Sequence, residues 1–365
     1  MAVLHIFNPE HDIALAANLS NFTSPHAGRQ LRHDLGWLPA IWASDGYVLV
    51  EDVEAAKRDF ARVMHRPFDR FVDKHQLLKL GITHVEPWGW DLALRSFLLR
   101  YGVKAVPTEA AIGVIRDLSH RKHAVELLRQ FDFEGTTGQS WQADGMAAVQ
   151  QALQAHQRIV VKAPWSSSGR GVRFVESAHG DSPPVIRSQS SLLTEGTVPM
   201  SGLQRWIEHV MDRQGSVIVE TYCHKVKDFG MEFESDGEGH VRYLGLSLFH
   251  TQNGAYTGNV LASEEEKREV INRYIPDGLL DAVREKICAF LGALYCHRYA
   301  GPFGVDMMVV GGDDRQHFLL NPCVEINLRR TMGHVALALS EQVPSDYVMR
   351  VEYTENRYKL RVEHL

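Results

Sequence analysis

Lys162 closes the apolar run Ile159 to Lys162, and a loop of small residues follows it: Ser166, Ser167, Ser168, Gly169, Arg170 and Gly171. An ammonium beside a segment whose backbone N–H groups can turn inward suits phosphate oxygens. This is not a Walker loop, because the lysine precedes the glycines and no Lys-Ser or Lys-Thr comes after them. Much later in the chain, Asp306 lies inside the apolar run FGVDMMVV, and Glu325 and Asn327 alternate in CVEINL, which puts these last two on one sheet face. Such hard oxygen ligands fit one or two Mg²⁺ ions held jointly with phosphates, and Mn²⁺ would serve in their place. Arg329 continues the same spacing and is expected on that face, able to fork a phosphate or a carboxylate. An ordinary solvated strand face also carries charges, but carboxylates set in such apolar runs would be poorly compensated there. The combined chemistry is that of an enzyme using ATP with magnesium.

The elements that must position these residues are bounded by composition. A chain of 365 residues is too long for one ordinary core and short for three, so two or three linked units are expected. Its 44% hydrophobic and 23% charged content describes a soluble globular protein. With 39 Lys and Arg against 45 Asp and Glu the net charge is −6, so no nucleic acid is expected as a partner. Cys223, Cys288, Cys296 and Cys323 are scattered without a C-x-x-C pair and read as reduced structural thiols. No signal-like start and no membrane-length apolar run is seen, which points to a cytoplasmic protein without a membrane partner; a homo-oligomer is left open.

Along the chain, AVLHIF, YVLVED, ITHVEPW and VKAVPTE alternate with the helix-like DIALAANL and DLALRSFLLRYG, which predicts βαβ units on a mostly parallel sheet over about residues 1–115. The segment DLSHRKHAVELLRQFDF predicts a helix with Asp117 or Ser119 as N-cap. MAAVQQALQAHQ and SGLQRWIEHVM predict further helices, RIVVKAP and SVIVETY strands, and the Ser-, Pro- and Gly-rich stretch 176–199 an insertion. MEFESDGEGHVRYLGLSLF reads as a hairpin, Pro276 to His297 as a long helix, and FGVDMMVV with HFLLNPCVEINL as a closing pair of strands. The tail YVMRVEYTENRYKLRVEHL reads as one more hairpin.

The order of these parts resembles the ATP-grasp superfamily over about residues 115–340: a strand lysine with a small-residue loop, a hinge strand ending in Glu220, then Asp306 and Glu-x-Asn on two late strands. The resemblance implies an α/β plus α+β chain, with a Rossmann-like domain at 1–115, an ATP-grasp fold in two subdomains at 116–222 and 223–342, and a C-terminal hairpin at 343–365. It implies that Lys162 holds the α- and β-phosphates, with Arg121 or Lys122 as a second basic residue and the loop Ser166, Ser167, Ser168, Gly169 and Gly171 around them. Glu220, Thr221 and Tyr222 would receive the adenine edge and Asp228 the ribose. Asp306, Glu325 and Asn327 match the magnesium ligands, and Lys162 and Arg329 would stabilise phosphate charge. The implied activity is ligation of a small-molecule carboxylate, through an acyl phosphate, to an amine, with a small-molecule kinase and a non-catalytic ATP-binding protein as the competing readings.

At the front, FNPEHD admits two accounts. Asn8 as N-cap, Pro9 at the first helical position and a helix-dipole preference for Glu10 and Asp12 explain it structurally. Asn8, Glu10 and His11 at the carboxyl end of a strand would equally suit binding of the second substrate. Arg29 with Arg32, the polar loop carrying His250, Asn253, Tyr256, Thr257 and Asn259, and Arg330 beside Arg329 are further substrate candidates. Trp88, Trp90 and Phe97 are expected in a core.

Overall fold

The computed structural model describes residues 2–166, 171–177, 185–188, 200–252, 255–312 and 317–364. Short apolar strands alternate with helices at the front: β1 (Val3–Ile6), α1 (His11–Ala17), α2 (His26–Leu35), β2 (Tyr47–Leu49), α3 (Val53–Met64), β3 (Phe71–Val72), β4 (His84–Pro87) and α4 (Leu92–Arg100). The strands form a wholly parallel sheet in the order β3-β2-β1-β4, as the βαβ pattern predicts. Two local expectations fail here. VKAVPTE forms no strand, since Pro107 has no N–H to give a ladder and Thr108 instead caps the next helix. Helix α1 begins at His11 with Glu10 in the cap position, because the Asn8 amide is committed to the Gly89 carbonyl (2.8 Å) and Asp91 (3.2 Å).

The chain continues through α5 (Glu109–Leu118), α6 (Lys122–Leu128), β5 (Ser140–Ala143), α7 (Met146–His156), β6 (Arg158–Lys162), β7 (Val172–Glu176), β8 (Val185–Ser188), α8 (Met200–Gln214) and β9 (Val217–Thr221). The one helix expected from Asp117 onward is two. Ser119 ends α5, its hydroxyl donating to the Ile115 carbonyl (2.8 Å), and Asp117 is an ion-pair partner of Lys122 rather than a cap. The strands make an antiparallel sheet, β5-β9-β6-β7-β8. Ile159, Val161, Val217 and Val219 pack on Leu203 and Ile207 of α8 and Val149 of α7.

The remainder comprises β10 (Lys225–Ser235), β11 (Val241–Ser247), β12 (Phe249–Gln252), β13 (Ala255–Leu261), α9 (Glu264–Asn272), α10 (Asp277–Tyr295), β14 (Gly301–Gly311), β15 (Phe318–Asn327), α11 (Met332–Ser340), β16 (Tyr347–Thr354) and β17 (Arg357–His364). In the antiparallel sheet β11-β10-β14-β15 the pleat separates two faces. Met231, Phe233, Phe303, Val305 and Met307 pack on Leu280, Val283, Ile287, Leu291 and Tyr295, which recur along α10 at helical spacing. Each such side chain contributes roughly 2 kcal/mol by leaving water. The opposite face receives Asp228, Glu232, Asp306, Glu325 and Asn327.

A last antiparallel sheet, β12-β13-β16-β17, places Leu261, Met349 and Leu360 in one core with Trp37, Val48 and Phe60 of the front unit. Among the described residues no helix is long and apolar enough to cross a membrane.

Candidate active site

Lys162 ends β6 with its side chain on the face away from Ile159 and Val161. It is 6% exposed and tolerates this because Nζ meets Glu220 Oε2 of β9 at 2.7 Å and the Val324 carbonyl of β15 at 3.3 Å. The lysine thus ties the sheet β5-β9-β6-β7-β8 to the sheet β11-β10-β14-β15. Arg121, in the turn before α6, donates through Nη1 to the Ala163 carbonyl (2.6 Å) and Ser166 Oγ (2.9 Å), and through Nη2 to Glu325 Oε1 (2.5 Å). Its Nε–H is buried with no acceptor. Lys122 turns away to Asp117 (2.5 Å), so Arg121 alone of this pair enters the cleft. Gly171 is fixed by its carbonyl, which accepts from Ala163 N (2.8 Å); Ser167, Ser168 and Gly169 lie outside the described residues.

Thr221 is tied to Gln139 N through Oγ1 (3.2 Å), and Tyr222, 40% exposed, stands edge-on to Phe174 and His224. Asp228 Oδ2 accepts from Lys225 Nζ (2.5 Å) and Thr251 Oγ1 (2.8 Å). Further along the same polar face, Asp306 is in register with Gly230 on one side and Glu325 on the other, and Asn327 Nδ2 donates to Asp306 Oδ2 (3.0 Å). Burial, then Glu325 and Glu232, push the Asp306 carboxyl up to about 8. Among the described residues no three His, Cys, Asp or Glu side chains close into a metal cage, so a cation here would rest on two carboxylates and an amide oxygen, completed by a ligand.

Arg329 corrects its expected place. Strand β15 stops at Asn327 and the chain turns, Arg329 N donating to the Asn327 carbonyl (2.8 Å), so Arg329 is not a strand residue. Its guanidinium nevertheless returns to Asn327 Oδ1 (3.0 Å) and forks Asp12 of α1, with Nε–Oδ1 at 2.9 Å and Nη2–Oδ2 at 2.7 Å. Arg330 stacks over Trp42 at 4.9 Å and lies 3.7 Å from Glu86. Asp12, Ser119, Arg121, Trp165, Ser166, Glu325 and Asn327 line a narrow cleft. Trp165 donates through Nε1 to the Arg116 carbonyl (2.9 Å), under the Arg116 guanidinium at 3.8 Å and edge-on to His120 at 4.5 Å.

No family model and no curated protein matches this chain. Solved structures do. Biotin carboxylase from Campylobacter jejuni, in complex with β,γ-ATP, is similar over 98% of this chain and 77% of its own, with 12% identity and a TM-score of 0.51. The chain has the ATP-grasp fold. N5-carboxyaminoimidazole synthetase from Staphylococcus aureus with ADP (97% and 83% covered, 12% identity, TM-score 0.46) and an ATP-grasp superfamily protein from Archaeoglobus fulgidus (100% of both, 15% identity, TM-score 0.43) are also similar.

Within this ATP-grasp fold the front cluster lies apart from the cleft. Glu10 is buried against Arg32, and burial pushes its carboxyl up even so. His11 sits 3.7 Å from Asp91, and Arg29 donates to the Ser24 carbonyl (2.9 Å). The residue of FNPEHD that reaches the cleft is Asp12. His250 is on β12, Tyr256 turns in to Asn259, and Asn253 lies outside the described residues. Sequence reasoning missed Asp12 and Glu232. Glu232 had a readable signal, being four residues after Asp228 on an alternating strand and so on the same face; Asp12 had none.

Proposed function

We propose that this protein is an ATP- and Mg²⁺-dependent ligase that joins a carboxylate to an amine through an acyl phosphate. The observation that carries the reading is the convergence of Arg121 from the turn before α6, Ser166 from the loop after β6, Glu325 and Asn327 from β15, and the Asp12 partner of Arg329 on a single cleft. The donor chemistry fits the implied ligands. Arg121 has a buried Nε–H still lacking an acceptor, which a phosphate oxygen would supply. Asp306 sits among like charges that a divalent cation would neutralise.

In this reading Asp306, Glu325 and Asn327 would hold Mg²⁺, which when bound would supply positive charge to phosphate oxygens. Lys162 and Arg121 hold phosphate oxygens, and the strand end Glu220 to Tyr222 borders the adenine. In the structure these charges satisfy one another: Lys162 with Glu220, Arg121 with Glu325, Arg329 with Asp12. A bound nucleotide would offer Arg121 phosphate oxygens in place of the Glu325 carboxylate, which would leave Glu325 among the residues that would hold the metal. Arg329 orients the substrate carboxylate. One carboxylate oxygen bonds to the γ-phosphorus as ADP leaves; the amine nitrogen then bonds to the acyl carbon, phosphate leaves, and the nitrogen gives up a proton. The protein contributes mainly position and charge.

The test is ADP release from Mg²⁺-ATP across pooled amino acids and small carboxylic acids, beside Lys162→Ala and Glu325→Gln. Release that needs both an acid and an amine and disappears in both variants is the expected result. Release with an alcohol alone would make the protein a kinase, and nucleotide binding without release in every pool would make it a non-catalytic binder.

A further inference from the structure

Glu232 lies on the polar face of β10, two residues beyond Gly230, and is 3% exposed. A carboxylate so buried needs compensating donors. The donor comes from the start of α11: Thr331 Oγ1 donates to Glu232 Oε2 at 2.8 Å, and the His334 ring packs beside the same oxygen, with Nδ1 3.0 Å away. Thr331 and His334 are also the two members of that helix's capping box, the threonine hydroxyl accepting from Gly333 N (3.1 Å) and the imidazole accepting from Thr331 N (3.1 Å). The second ring nitrogen, Nε2, reaches the Phe233 carbonyl (3.3 Å), back on β10.

Space for the carboxylate depends on two glycines. A Cβ at Gly304 would stand 2.6 Å from Glu232 Oε2, and one at Gly333 would collide with Oε1. Ser247, which such a Cβ would also crowd, accepts from Asn259 Nδ2 (2.8 Å), whose amide oxygen in turn takes the Tyr256 hydroxyl. A polar brace therefore runs from the glutamate on β10 to Thr331, the residue that immediately follows Arg329 and Arg330.

We infer that Glu232 is a positioning residue: by anchoring the Thr331–His334 cap to the sheet that carries Asp306, it sets where the Arg329 guanidinium stands relative to Asp306 and Asn327. The inference rests on the ligase reading for its effect on turnover, while the brace itself can be tested without it.

Five variants decide it: Glu232→Gln, Thr331→Val, Thr331→Ser, Arg329→Ala and the double variant Glu232→Gln/Arg329→Ala. The brace predicts faster amide exchange over residues 328–334 in Glu232→Gln and in Thr331→Val, and protection restored in Thr331→Ser, which keeps the hydroxyl. It predicts a kcat loss of about tenfold or more in the first two, with KM for Mg²⁺-ATP within twofold of wild type, and no further loss when Glu232→Gln is added to Arg329→Ala. Unchanged exchange in both Glu232→Gln and Thr331→Val overturns the brace. Losses that multiply in the double variant overturn its action through Arg329. A wild-type protein that neither binds Mg²⁺-ADP nor turns over ATP sinks the ligase reading, and with it the effect on turnover, whereas the exchange pattern still rules on the brace.

Discussion

Asp306 and Glu325 face each other across β14 and β15 with Asn327 as their near neighbour, and burial first, then the neighbouring Glu325 and Glu232, disfavour an ionised Asp306. In chelator-treated protein, Asp306→Asn should therefore melt above wild type at neutral pH, while losing Mg²⁺-dependent nucleotide binding; thermal melts with and without Mg²⁺-ADP check both parts. His120 is the complementary case of a buried base. Burial first, then Lys122 and His123, lower its pKa from 6.5 to about 4, and its Nδ1 already accepts the Lys122 N–H (2.9 Å), a bond that protonation would end. A base depressed in the folded state contributes stability that is present above pH 6.5 and lost as pH falls toward 4. His120→Asn, whose amide oxygen can accept that N–H, should lose less melting temperature than wild type between pH 7 and pH 4.5. Lys162, Asp306, Glu325 and Asn327 were legible as candidates because charge stood inside apolar alternation. Choosing Arg121 over Lys122 was not, since adjacent residues differ only in the direction a turn gives them.

At the scale of elements, alternation carried the reading wherever one face is buried. Strands β10 and β14 declare both faces, and α10 declares its stripe, so their pairing and packing follow from pattern. Legibility failed at ends and irregularities, where competing local partners decide. Asn8 was taken from capping by Gly89 and Asp91, Ser119 by the end of α5, and Arg329 by a turn one residue past the strand. Within β15 the register jumps, Asp306 facing Glu325 while Met308 faces Asn321, so extra residues around Pro322 and Cys323 bulge from the ladder just before the acidic cluster. A related tight fit joins β13 to β16: a Cβ at Gly258 would run into the Met349 carbonyl. Gly258→Ala should cost about 1–3 kcal/mol in urea unfolding with an unchanged m value, and no effect would mean that this strand pair yields easily.

Across the whole molecule, the front unit is bonded to the cleft at several points: Asp12 to Arg329, the Leu15 carbonyl to Arg116 Nε (2.8 Å), and the Trp88 carbonyl to Arg330 N (2.9 Å). Nothing in the sequence pairs residues 317 positions apart, which is why Asp12 was read only as a helix-dipole residue and not as the partner of Arg329. Breaking this partly buried ion pair leaves Arg329 uncompensated, so Asp12→Asn should lower stability by on the order of 3 kcal/mol and speed proteolysis between the front unit and the rest; denaturant melts and limited digestion measure each. Trp165 lines the same cleft beneath a guanidinium, with Ser166 next in the chain and bonded to Arg121. An indole so placed is an optical gauge. Any ligand that draws Arg121 off Ser166 and Glu325 changes the polarity and charge around that ring, so nucleotide arrival would be visible as a shift in tryptophan emission that Trp165→Phe removes, before any substrate has been named.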